Sequence, residues 1–307
     1  MAAFVRSLGI ALVLLFCAQR GQAAPTGGSC PAPSQGAGAV QMFRGLPLVT
    51  ATINGAAAPL ILDTGAEETV LTAAAAARLG LKGHYAYPHS LRSVSGGVAT
   101  GQARIESLSV GDSAVRNFFV LVGSLTLPSV AGAQPAGLLG GDFLSHFDVD
   151  LDLAEGRLAL YPPGCGPARP PWRSAYTTIP ANLSIDDRLF FPVALDGHKL
   201  FAFIDTGAQV STIDTAAAAR LGLSKAEISG DPAARLRGVS AAPMEAHAHR
   251  FAWLRVGGDT VRDPVLIVTA LNLPDADIVL GLDFLRGRRV WFSYLTHRIF
   301  LARPEAR

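Results

Sequence analysis

The chain contains the same run twice. ILDTGAEETVLTAAAAARLGL begins at Ile61, and IDTGAQVSTIDTAAAARLGL begins at Ile204. With Asp63 set against Asp205, positions 63–81 and 205–223 agree at twelve of nineteen residues. Two further pairs keep the same order: VGDSAVRN from Val110 with VGGDTVRD from Val256, and LLGGDFL from Leu138 with VLGLDFL from Val279. The offsets are 142, 146 and 141 residues, so one unit of about 120 residues is used twice. A chain of 307 residues is long enough for each copy to bury its own core. Whatever chemistry such a chain carries has to be looked for at positions that come in pairs.

The local pattern is that of short strands. PLVTATING and FPVALDG run into Asn54-Gly55 and Asp196-Gly197, dipeptides suited to tight hairpin turns. After each Asp-Thr-Gly comes a brief strand and an Ala-rich helix, with Thr72 or Asp214 as N-cap and Gly80 or Gly222 as stop. DVDLDLAEGRLALYP and VWFSYLTHRIFLA alternate as closing hairpins. The expected fold is all-β with a few short helices, built as two homologous lobes. The expected organisation is a signal peptide over 1–23, a flexible arm over 24–38, lobe 1 over 39–160, a Pro/Gly-rich linker over 161–175 and lobe 2 over 176–307.

Arg6, the short apolar core Leu8 to Ala18 and the small residues GQA ending at Ala23 have the form of a secretory signal. The core falls short of the roughly 20 residues a membrane span needs. The expectation is therefore an exported protein, periplasmic or extracellular, with an uncleaved membrane anchor as the alternative. Removing residues 1–23 leaves 24 basic and 24 acidic side chains, which gives no electrostatic footprint for nucleic acid. Two cysteines remain, Cys30 before the first repeat and Cys165 in the linker, and in an exported chain they are expected to bridge. Two free thiols are the alternative.

A single Asp-Thr-Gly is a good turn and carries little information. Two at homologous positions are different. If the repeats pack about a pseudo-twofold axis, Asp63 and Asp205 meet, and two adjacent carboxyls share one proton because both cannot ionise cheaply. One ionised and one protonated carboxyl form a general base and a general acid. Asp142 and Asp283 also recur, each after an apolar-Gly turn and ahead of a short helix, and are expected to be N-caps. His247 and His249 lie on one strand face, with no third metal ligand at sensible spacing. No metal or cofactor is expected. The chain has no G-x-S-x-G, H-E-x-x-H, C-x-x-C or P-loop motif to support another chemistry.

DTGAEETVL, from Asp63 to Leu71, resembles the active-site loop of retroviral aspartic proteases, and LLG and VLG resemble the apolar-apolar-Gly motif that packs behind it. Both halves lie on one chain, so the whole resembles a single-chain, two-lobed retropepsin-like protease of the bacterial, secreted sort. Ala66 and Ala208 follow the retropepsin pattern, since pepsin-type loops usually carry Ser or Thr there. The resemblance implies β-barrel lobes about a pseudo-twofold axis, and an endopeptidase whose catalytic pair is Asp63 and Asp205. It also implies support from Thr64, Gly65, Ala66, Thr206, Gly207 and Ala208, with Thr64 and Thr206 locking the loops together.

A protein or peptide substrate would lie extended beside Gly65, Glu67, Gly207 and Gln209. Flaps are expected in RSVSGGVATG, with Gly96 and Gly97, and in RGVSAAPMEA, with Val239 and Ser240. Without a hydroxyl at Ala66 and Ala208, the pH optimum should be less acidic than pepsin's. A monomer suffices, since both halves are present. The alternatives are a catalytically silent two-lobed peptide-binding protein and a narrowly specific regulatory processing protease.

Overall fold

Among the described residues, three sheets account for nearly all the regular structure. The computed structural model describes residues 40–91, 98–129, 134–162, 164–165, 169–236, 245–271, 273 and 275–302. Residues 41–139 contribute one sheet of ten strands, and residues 182–280 one of nine. Short helices sit at equivalent places in the two repeats, with one further helix, Lys225–Gly230, in the second.

Both large sheets share an unusual strand arrangement, which confirms the duplication. In the first, Gly137–Leu139 runs parallel to Leu60–Leu62 and antiparallel to Val70–Thr72. In the second, Ile278–Leu280 runs parallel to the end of His198–Ile204 and antiparallel to Thr212–Asp214. Val70–Thr72 and Thr212–Asp214 each take a parallel partner on their other side, Ser113–Gly123 and Val265–Thr269. Leu60, Ile61 and Leu62 are all buried, as a strand covered on both faces requires.

The local expectations hold. Asn54-Gly55 and Asp196-Gly197 all have positive φ, the conformation of a two-residue hairpin turn. The Thr72 and Asp214 side chains accept from the Ala75 and Ala216 amides. Gly80 and Gly222 follow the helix ends at φ +66° and +96°.

The closing segments do more than end each repeat. Asp148–Asp152 pairs with Arg157–Tyr161 as expected, but it also pairs antiparallel with Arg289–Ser293 from the other repeat. Arg298–Ala302 and Tyr176–Pro180 complete a five-stranded sheet that both repeats build. One face supplies Val149, Leu151, Leu158, Leu160, Val290 and Phe292 to a hydrophobic core continuous through both repeats. The other face carries Tyr161, Trp291 and Phe300, with Trp172 and Tyr176 packed against them.

Asp150 lies on that second face, 2% exposed, and Trp172 in the inter-repeat segment donates its indole N–H to it at 3.3 Å. Arg289 donates Nε to Asp150 at 2.7 Å and a second guanidinium N–H beside it, while its plane lies over the Trp172 ring at 4.9 Å. The inter-repeat segment is therefore tied down where the two copies join. Cys165 lies in the turn after Arg157–Tyr161; Cys30, its expected partner, lies outside the described residues, as does the expected signal segment. Among the described residues no helix is long and apolar enough to cross a membrane.

Replacing Asp150 by Ala strands the Arg289 charge in a largely covered site. Urea unfolding should show a loss on the order of 3 kcal/mol, far beyond that of an exposed ion pair such as Arg220–Asp277.

Candidate active site

Each Asp-Thr-Gly stands at the mouth of a buried strand. Leu60–Leu62 delivers Asp63, whose amide donates to Leu139 O at 3.1 Å; His198–Ile204 delivers Asp205, whose amide donates to Leu280 O at 2.9 Å. The chain then turns back, and Ala66 and Ala208 donate to the carbonyls of Asp63 and Asp205. The apolar-Gly motifs hold these turns from behind. Gly141 N–H donates to Ala66 O and Leu282 N–H to Ala208 O, both at 2.8 Å. A Cβ on Gly140 would lie 2.5 Å from the Glu68 carbonyl carbon, and one on Gly281 2.7 Å from that of Val210, so only glycine allows the approach.

The two turns lock reciprocally. Thr64 N–H donates to Thr206 Oγ1 and Thr206 N–H to Thr64 Oγ1, each at 3.1 Å. The hydroxyls in turn donate hydrogen bonds to the strands opposite: Thr64 Oγ1 to Ile204 O and Thr206 Oγ1 to Leu62 O, both at 2.7 Å. All four bonds are buried. Each contributes only about 1 kcal/mol net, yet removing one partner leaves a buried group unsatisfied at a cost of about 1–3 kcal/mol.

The lock brings the carboxyls together. Asp63 and Asp205 are in hydrogen-bonding contact. Each rests against the glycine of the other turn: a Cβ on Gly65 would fall 2.4 Å from Asp205 Cγ, and one on Gly207 2.5 Å from Asp63 Cγ. Asp63 Oδ1 accepts the amides of Gly65 and Ala66 at 3.0 and 2.9 Å, and Asp205 Oδ1 accepts that of Gly207 at 2.7 Å. Burial, then the Asp205 charge and the hydrogen bond to it, hold Asp63 well above the ordinary carboxylate range. Burial also raises Asp205, opposed by hydrogen bonds from Asp63 and the Gly207 and Ala208 amides and by the Arg188 charge. Two adjacent buried carboxyls cannot both ionise cheaply.

Glu67 and Gln209, one residue beyond Ala66 and Ala208, are engaged between the repeats. Glu67 Oε1 accepts from Arg188 at 2.7 Å, with the guanidinium covered by the rings of Phe190 and Phe203. Gln209 Nε2 donates to Arg44 O at 2.7 Å and packs on Gly45. In both cases the opening hairpin of one repeat reaches the turn of the other. Sequence reasoning missed Arg188; its signal is a lone basic residue in SIDDRLFF, directly ahead of an apolar strand.

Asp142 and Asp283 correct the capping expectation. The helix N-caps are Gly140 and Gly281, and each Asp is two residues further in, inside the first turn. Asp142 accepts Thr69 N–H at 2.8 Å and Thr69 Oγ1 at 2.7 Å; Asp283 accepts Ser211 N–H at 2.9 Å and Ser211 Oγ at 2.6 Å. A partner just ahead of the neighbouring strand outcompetes the local cap because it presents two buried donors at once. His247 and His249 both turn to Asp231, through its backbone oxygen at 3.1 Å and its carboxylate at 2.6 Å.

The flap candidates Gly96, Gly97, Val239 and Ser240 lie outside the described residues. In the first repeat the strands flanking 92–97, Gly83–Leu91 and Val98–Val110, pair as a long antiparallel hairpin. In the second, the matching pairing among the described residues is one bridge between Ala233 and His247.

Comparison with known families gives two matches. An aspartyl protease family matches residues 49–143, and a gag-polyprotein aspartyl protease family matches residues 191–287, together well over half of the chain. The chain belongs to the retropepsin-like aspartic proteases. Its fold is similar to that of the aspartic proteinase from Irpex lacteus, at 14% identity and a TM-score of 0.50, covering 91% of this chain and 97% of that one. A comparison with curated proteins finds no match.

One consequence for stability concerns Asp142, which burial holds at about 7 despite its hydrogen bonds from Thr69 and Phe143. Between the unfolded value near 4 and about 7, the folded chain keeps a proton the unfolded chain loses, so this group's contribution falls as pH rises through that window. Urea unfolding of Asp142→Asn should show a flatter dependence between pH 4 and pH 7 than the parent. An unchanged slope would remove Asp142 as its source.

Proposed function

We propose that this protein is an aspartic endopeptidase in which Asp63 and Asp205, one from each repeat, activate a water molecule between them. The observation that carries the reading is the reciprocal Thr64–Thr206 lock, which sets both carboxyls against the opposite turn's glycine and in contact with each other. The ionised member takes a proton from water as the oxygen attacks the peptide carbonyl. The protonated member hydrogen-bonds the developing oxyanion, and a proton then passes to the departing nitrogen. Which Asp acts as base is a property of the pair, since the two titrate together.

The substrate is a protein or peptide in extended form, bonded through its main chain along Gly65 and Gly207. With Glu67 and Gln209 making different contacts, the two sides of the cleft are unequal, unlike those of a homodimer. The long hairpin Gly83–Leu91 with Val98–Val110 supports a covering flap from the first repeat. The protein is proposed to act as an exported monomer, with Cys30 and Cys165 bridged.

The test is digestion of a peptide library from pH 3 to pH 8 by the parent, Asp63→Asn and Asp205→Asn. The expected outcome is cleavage by the parent and a loss of at least about a thousandfold in each variant, because each carboxyl is needed for one half of the proton traffic. Full activity in either variant refutes the shared pair. With no hydroxyl at Ala66 or Ala208 to favour ionisation, the optimum should lie above pepsin's, and a maximum below about pH 3 contradicts that.

A further inference from the structure

A cavity of about 270 Å³ opens where the two repeats meet, outside the carboxyl pair. Its acids are Asp148 and Asp187; Ser145, Phe147, Leu183, Tyr294 and Leu295 supply the rest of the wall. Asp148 comes from the first repeat. Leu183 and Asp187 come from the opening hairpin of the second, and Tyr294 and Leu295 from the turn after Arg289–Ser293. Three segments distant in the chain thus converge on a space smaller than the roughly 300–1,000 Å³ of sites for drug-sized molecules.

Asp148 is the telling group. It is 7% exposed, and the Ser293 side chain hydrogen-bonds its carboxyl, yet its Oδ1 is buried with no hydrogen-bond partner. An acceptor left so in a native protein costs stability until a donor meets it. Asp187, across the cavity, is attracted by His146 and takes a hydrogen bond from Ser145, while the Asp186 carboxylate opposes its charge. Burial raises both Asp148 and Asp187, because loss of water disfavours the charged carboxylate. Among the described residues neither forms a salt bridge with Lys or Arg; the nearby Arg188 is committed to Glu67 and Asp186.

We propose that this cavity is a second ligand site, which takes one alkylammonium or alkylguanidinium head with a short apolar stem. The head supplies donors to Asp148 and Asp187. The methylene stem lies along Phe147, Leu183 and Leu295, as long cationic side chains lie on apolar surface. The volume admits one such group and no folded segment. The site borders the active-site turn: a Cβ on Gly141 would lie 3.0 Å from Asp187 O and 3.4 Å from Ala66 O, and Arg188, bonded to Glu67, is the next residue after Asp187.

Calorimetric titration of the full chain with agmatine, and separately with Nα-acetyl-arginine methylamide, tests the site at pH 7. Binding of either probe, with no binding of the neutral analogue N-butylurea, is the expected result; the tighter probe distinguishes a free amine from a peptide side chain as the source. Asp148→Asn should weaken binding by about tenfold or more. Leu295→Arg sits at a position 62% exposed, so it should keep the fold while its own guanidinium competes for the cavity. If Asp148→Asn does not fold, Leu295→Arg and Asp187→Asn carry the comparison. Asp63→Asn should bind as the parent does, which separates this cavity from the catalytic pair. No binding of either probe by folded parent up to about 10 mM overturns the proposal, as does undiminished binding in the cavity variants or loss in Asp63→Asn.

Discussion

The structure turns on two threonine hydroxyls exchanged between the repeats. Thr64 and Thr206 each accept an amide from the opposite turn and donate to the strand behind it. Every one of these groups is buried, so none has water as a substitute, and separation of the turns would orphan several at once. The same closeness forces glycine at 65 and 207, because any Cβ there would overlap the opposing carboxyl. It also forces the carboxyls to share their surroundings, which raises both. Geometry, composition and proton affinity at the site therefore share one cause.

Around that centre the two copies have diverged in what they use to reach each other. The first turn offers a carboxylate, Glu67, to a guanidinium that two phenylalanine rings cover; the second offers an amide, Gln209, to a backbone carbonyl. The first repeat extends a long hairpin where the described part of the second makes a single bridge. A homodimer could not hold such differences. Joined on one chain and clamped by a shared five-stranded sheet, the copies are free to differ.

Much of this was legible in the sequence wherever the signal was local. The Asn54-Gly55 and Asp196-Gly197 turns, the Thr72 and Asp214 caps and the Gly80 and Gly222 stops are decided by their own few residues. The duplication made the pairing of Asp63 with Asp205 legible, because a repeated loop implies an axis. What stayed hidden depends on partners far along the chain. Asp142 reads as a cap from its neighbours, but the donors that claim it belong to Thr69, 73 residues earlier. Asp148–Asp152 reads as half of a hairpin, and nothing local says that its other edge meets Arg289–Ser293. Arg188 and the cavity at Asp148 are likewise products of the junction between copies, which no window on one copy contains.

If the proposed function holds, two turns from one chain make a single acid–base unit. A ¹³C titration of the Asp carboxyl carbons, followed for Asp63 and Asp205, tests it most directly. Two steps well separated in pH are expected, each visible at both carbons, with only one step left when either partner is replaced by Asn. Two carboxyls that titrate independently near the ordinary aspartate value, each indifferent to replacement of the other, would contradict it.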